Sequence, residues 1–164
     1  MREETNMTEV HTGGCQCGAL RYRIEGSLGH AGFCHCRMCQ KAFGSMGAPL
    51  VSVLPERFTW TRGTPSTFRS SPVVARGFCR DCGTPLFMLE DDYGPIEIAI
   101  GSLDDPNSAA PDHVVGVESK LGWADTLPGL PAKRTEDDRS ADDLTKLRSL
   151  QHPDHDTDDW PVHS

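Results

Sequence analysis

Gly14-Cys15-Gln16-Cys17-Gly18, Cys34-His35-Cys36-Arg37-Met38-Cys39 and Cys79-Arg80-Asp81-Cys82-Gly83 contain all seven cysteines of this 164-residue chain. An odd number of cysteines cannot pair completely into disulfides. No apolar run approaches the roughly 20 residues of a membrane span, and the opening stretch, Met1 to His11, is polar and charged rather than leader-like. The expectation is a cytoplasmic protein, in a compartment that keeps thiols reduced. Reduced cysteines in tight clusters read as metal ligands, and sulfur sets of this kind suit zinc.

Structural zinc takes four ligands in a tetrahedron, with Zn–S about 2.3 Å. The two Cys-Gly turns are natural partners for such a site. A glycine after the second ligand permits positive φ, and the tight turn aims backbone N–H groups at the sulfurs, which holds and tunes them. Cys15, Cys17, Cys79 and Cys82 would then close one site. Closing so long a loop is entropically costly, and structural zinc, on the order of 10 kcal/mol in small domains, can offset that cost. Cys34, Cys36 and Cys39 remain. Three ligands within six residues can reach one ion from a turn and the first turn of a helix, whose partial positive charge favours thiolates. Three protein ligands and one open position form the pattern of a catalytic zinc, where a bound water or thiol is acidified. The reading is therefore two Zn²⁺ per chain. The spacing leaves three alternatives open: His35 as a fourth ligand, Cys79 and Cys82 as a redox pair, and a single site built from Cys34, Cys36, Cys39 and one other cysteine.

The rest of the chain reads as mainly β with short helices. Hydrophobic residues are 37% and aromatics 7%, while glycine (16) and proline (12) are plentiful, so short strands, many turns and a modest core are expected. Leu20 to Ile24 and Ile96 to Ile100 alternate apolar and polar residues, the period of half-buried strands. Ala48–Leu54, Phe58–Trp60, Thr67–Arg69, Val73–Phe78 and Pro85–Leu89 also read as strands, and Leu103 to Pro106 as the start of a helical turn. The only helix expected within the domain runs from Arg37 to Phe43. Residues 1–12 read as a flexible lead, 13–131 as the zinc-binding domain, and 132–164 as an acidic, largely disordered tail. Within that tail Ser140 would cap a short helix carrying Leu144, Leu147 and Leu150 on one side.

The net charge of −8 argues against a general nucleic-acid binder. Residues 14–90, which hold every cysteine, nevertheless carry nine basic and four acidic side chains. That stretch either attracts a small anion or merely scatters solvated arginines. Arg37 and Lys41, on the expected helix beside the ligands, are the candidates for carboxylate contacts; the alternative is ordinary solvated positions. His152 and His155 read as solvated histidines of the tail, and His11, His30 and His113 receive no role. Oligomeric state has no signature in the sequence.

The three cysteine motifs, together with Gly101-Ser-Leu-Asp-Asp-Pro106, Asp112-His113, Glu118-Ser-Lys120, Trp123 and Leu127-Pro128, closely resemble the glutathione-dependent formaldehyde-activating (GFA) family, also called the CENP-V/GFA domain. The resemblance covers roughly Thr12 to Pro131. It implies an Mss4-like, zinc-stapled β fold, with Cys15, Cys17, Cys79 and Cys82 on a structural zinc and Cys34, Cys36 and Cys39 on an open one. The implied activity is that of a carbon–sulfur lyase or synthase: addition of a small thiol such as glutathione to formaldehyde or a similar aldehyde. A non-catalytic zinc module that binds a partner is the alternative, since a fold alone does not fix a function.

Overall fold

A computed structural model describes residues 9–160. Two sheets face one another. The first is antiparallel, in the order β1 (Val10–Gly14), β2 (Arg21–Glu25), β5 (Phe58–Arg62). The second has seven strands. It comprises β3 (Ala31–Cys34), β4 (Ala48–Val53), β6 (Ser66–Arg69), β7 (Val74–Phe78), β8 (Pro85–Glu90), β9 (Ile96–Ala99) and β10 (His113–Val115), in the order β10-β3-β4-β9-β8-β7-β6. Every pairing is antiparallel except that of β10 with β3. The mainly β architecture with short helices is the one expected from the alternating runs.

The core lies between the sheets. Tyr22 and Ile24 of β2 are fully buried and cluster with Val51, Val53, Leu86 and Ile98 of the larger sheet. Four rings line the interface: within the smaller sheet Tyr22 lies 5.2 Å from Phe58 and 5.9 Å from Trp60, and Trp60 reaches across to Phe87 at 6.0 Å. Edge and tilted contacts of this kind stabilise beyond their area alone. The buried Tyr22 hydroxyl donates to Ser102 Oγ at 2.8 Å, and Ser102 passes its own proton to the carbonyl of Ala99 at 2.7 Å. No buried hydroxyl is left unpaired in that chain.

Helix α1 (Arg37–Phe43) has the bounds that the sequence indicates. Cys36 caps it, its sulfur accepting from the Cys39 N–H at 3.3 Å, and Gly44 ends it in the left-handed region at φ 57°. Gln40, buried on the inner side, anchors it by donating to the carbonyls of His35 (2.7 Å) and Ser119 (2.8 Å).

Two expectations are corrected. The flexible lead does not extend through residue 12, because Val10, His11 and Thr12 belong to β1 and pair with Glu25, Ile24 and Arg23. Residues 1–8 of that lead lie outside the described residues. The polar run finds its order through a partner strand, which local sequence does not announce. The tail differs in the same way. Ser140 does cap a short helix, α2 (Ala141–Lys146), and Leu144, Leu147 and Leu150 are exposed. Residues 151–160, however, return to the first sheet instead of remaining disordered; residues 161–164 lie outside the description. His152 is not solvated but only 4% exposed. Its N–H donates to Gln16 at 2.8 Å and its ring meets Trp160 edge-on at 5.2 Å.

The cause is electrostatic. Strands β2 and β5 place Arg21 directly opposite Arg62. Like charges facing each other across strands are unfavourable unless neutralised. Arg21, 3% exposed, is clasped by Asp104 (2.8 and 2.5 Å) and by Asp156 of the tail (2.7 and 3.1 Å), while Arg62 donates to the Thr157 carbonyl and hydroxyl. Asp104 also accepts from Thr12 at 2.5 Å. Although burial pushes its carboxyl upward, the hydrogen bonds from Arg21 and Thr12 hold Asp104 below the ordinary carboxylate value. Asp104 is largely buried and Asp156 half-exposed, which ranks their contributions. In urea unfolding of metal-loaded protein at pH 7, Asp104→Asn should cost about 2 kcal/mol and Asp156→Asn less than about 1 kcal/mol. Equal losses would contradict this ranking.

Candidate functional site

The turn between β1 and β2 and the turn between β7 and β8 are built alike. In the first, the Gly18 N–H donates to the Cys15 carbonyl at 3.1 Å; in the second, the Gly83 N–H donates to the Cys79 carbonyl at 2.8 Å. Both glycines sit at positive φ, 79° and 78°, where a side chain would be strained. The Leu20 N–H donates to Cys15 Sγ at 3.2 Å, which is the expected backbone support for a thiolate. The Gln16 N–H donates to Thr84 Oγ1 at 3.0 Å and ties one turn to the other. The two turns bring Cys15, Cys17, Cys79 and Cys82 together, with all four sulfurs within 4.8 Å of one another. Cys15 and Cys17 are 3.6 Å apart, and Cys17 and Cys79 3.8 Å.

Those separations test whether a metal fits. A tetrahedron with bonds of 2.3 Å has edges of about 3.8 Å, so the sulfurs stand where one zinc-sized ion requires them. All seven cysteines are free thiols. Burial pushes Cys17 well up from the ordinary thiol value and raises Cys79. Burial opposes ionisation of Cys82 too, but the Thr84 hydroxyl and backbone, with help from Cys17, bring it down to about 6. Four thiols packed so closely cannot all ionise without a cation between them. A divalent ion resolves that conflict.

The second group is local. Cys34 ends β3, Cys36 caps α1 and Cys39 lies in its first turn, and their sulfurs also fall within 4.8 Å of one another. No fourth His, Cys, Asp or Glu joins this group among the described residues. His35, the alternative fourth ligand, is buried with its ring 4.9 Å from Phe33 and lies outside the group. Burial pushes Cys39 up to about 12 and raises Cys34. Cys36 moves down despite burial, because the Cys39 N–H and thiol donate to it and Arg76 lies close.

Arg37 and Lys41 lie on the exposed side of α1 and border a groove of about 400 Å³ that also includes Met38, Phe68 and Arg76. Arg37 itself donates to Gln40 at 3.1 Å. Arg76, one of the nine basic residues of the cysteine-bearing stretch, is given no site role by the sequence. It lies opposite Met88 and Phe68 in the sheet, is 7% exposed, and its guanidinium approaches Cys39 Sγ at 3.5 Å. A cation inside the otherwise apolar run Val73–Phe78 was the available signal.

The fold and the site together define a β-rich domain fastened by a four-cysteine centre and carrying a second centre of three cysteines. The profile of the family described as "Glutathione-dependent formaldehyde-activating enzyme" (GFA) matches residues 10–119, more than half of the chain. The chain belongs to this family. Among solved structures, a crystal structure of a Rhodobacter sphaeroides protein from a structural-genomics programme shares the fold at 19% identity, with a TM-score of 0.53, covering 63% of this chain and 99% of that one. No curated protein matches.

The two groups should respond differently to loss of a ligand. Cys79→Ser should remove the folded baseline in circular dichroism, since a structural metal supplies on the order of 10 kcal/mol. Cys36→Ser should stay folded and lose one of two metal ions by elemental analysis. Unfolding of Cys36→Ser would make the second centre structural.

Proposed function

We propose that the chain is a zinc-dependent carbon–sulfur lyase or synthase that joins a small thiol such as glutathione to formaldehyde or a similar aldehyde. The observation that carries this reading is the three-cysteine group with no fourth protein ligand among the described residues. Sulfur-only sets favour soft or borderline ions such as zinc over magnesium or calcium. A zinc ion held by Cys34, Cys36 and Cys39 would supply a fourth position at which a thiol is acidified near neutral pH.

The residues around that position suit an anionic thiol. Three thiolates and one divalent ion leave a net charge of −1, and the Arg76 guanidinium against Cys39 offsets it. A fourth thiolate then brings the centre to −1 rather than −2. Arg37 and Lys41, lining the groove that Arg76 closes, would hold the carboxylates of the incoming thiol. The free thiols suit the reducing cytoplasm, and no helix among the described residues is long and apolar enough to cross a membrane.

The second reading, a non-catalytic zinc module that binds a partner, draws on exposed apolar residues on and beyond β10: Val114, Val115, Val117 and Trp123. Cobalt substitution separates the two. Titrating glutathione into the cobalt-loaded protein should perturb the thiolate-to-metal absorption. Arg37→Ala and Lys41→Ala should each raise the midpoint about two- to fivefold, as partly screened ion pairs do. An unchanged cobalt spectrum would count against thiol binding and favour the module.

A further inference from the structure

One face of the seven-stranded sheet carries more chemistry than the cysteines. Residues opposite one another in register share a face, as do residues two apart along a strand. His113 is paired with Gly32 and Val115 with Cys34; Gly32 is paired with Leu50, Ser52 with Glu97, and Glu97 with Met88. His113, Gly32, Cys34, Leu50, Ser52 and Glu97 therefore look the same way. Helix α1 covers the Cys34, Ala48 and Leu50 end of this face. The remainder is a cavity of about 420 Å³ with Cys34 at its edge and His113, Ser52 and Glu97 in its walls.

His113 is held in place there. Its Nδ1 lies 2.6 Å from Asp112 Oδ1, and the Asp112 N–H donates to the Ala31 carbonyl at 3.0 Å. With Nδ1 committed to the carboxylate, Nε2 is the nitrogen left for another partner. Nε2 lies 2.5 Å from the position that a Cβ on residue 32 would occupy. The imidazole therefore lies directly against the backbone of β3, where a side chain at position 32 would push it aside. Cys34 follows two residues further along the same face, a step of about 6.6 Å. His113 and Cys34 thus line the same cavity.

We infer that this cavity is the aldehyde subsite and that His113, oriented by Asp112, moves the proton to and from the aldehyde oxygen. The inference rests on the thiol–aldehyde reading above. In the forward direction the thiol sulfur bonds to the carbonyl carbon, and the π pair of the carbonyl moves to oxygen. Nε2–H gives that oxygen its proton, and the proton that the thiol released on binding returns to Nε2. In reverse, His113 takes the hydroxyl proton as the carbon–sulfur bond breaks and the aldehyde leaves. Asp112 keeps the ring aligned, and the absence of a side chain at Gly32 keeps it close to Cys34.

The test compares zinc-loaded native protein with His113→Gln, His113→Ala and Asp112→Asn. Formaldehyde release from S-(hydroxymethyl)glutathione reads turnover, and glutathione titration of the cobalt form reads thiol binding. Two metal ions per chain in each variant confirm the fold. His113→Gln should lower kcat about 10²-fold or more with the cobalt titration unchanged. Added imidazole should restore part of the His113→Ala loss, which a purely structural role would not permit, and Asp112→Asn should lose less. Native turnover in His113→Gln, or a loss matched by equally weakened glutathione binding, would overturn this inference alone. A native protein that binds glutathione but shows no turnover removes both this inference and the reading beneath it.

Discussion

Cys17 and Cys79 stand 62 residues apart in sequence and 3.8 Å apart in space. One belongs to the turn of the smaller sheet, the other to a turn of the larger. The four-sulfur cluster is therefore the point where the two sheets are fastened, and the ring stack of Tyr22, Trp60 and Phe87 fills the space between them. A flexible loop of that length costs several kcal/mol to close. The modest aromatic content leaves little surplus apolar surface to offset that cost. A metal ion held by the four sulfurs would do so in one place and fix the relative position of the sheets.

The three-sulfur cluster has a different origin. It joins a strand end to the first turn of the helix that follows, so it closes a loop of only a few residues. Its geometry derives from the helix itself: Cys36 is at once a candidate ligand and the helix cap, and Gln40 holds the same helix to two neighbouring carbonyls. A local centre of this kind holds no distant segments of the chain together. The division of seven cysteines into four and three thus separates a group that joins the two sheets from one local to a strand end and a helix.

Much of this was legible in the sequence. The bounds of α1 follow from a cysteine able to cap and a glycine able to stop. The alternation in Leu20–Ile24 and Ile96–Ile100 marks strands that bury one side. Val10–Gly14, Ala31–Cys34 and His113–Val115 were not legible, because they are short and gain order from neighbours rather than from their own pattern. The site divides along the same line. Cysteine spacing is local and readable, whereas Arg76 meets Cys39 through the packing of α1 on the sheet and His113 meets Gly32 through strand register, both tertiary properties. The segment after Gln151 also has too little apolar surface to declare itself. It is held by Arg21 and Arg62, two charges that the sheet had already aligned.

That last arrangement can be viewed as binding within one molecule. Asp156 and Thr157 act as a ligand for the paired guanidiniums, carried on a tether that runs back through α2. A tether of this kind maintains a local concentration in the millimolar range, whatever the amount of protein in solution. The chain therefore supplies its own counter-ion, and a dissolved anion that seeks the same two arginines must compete with one that never diffuses away.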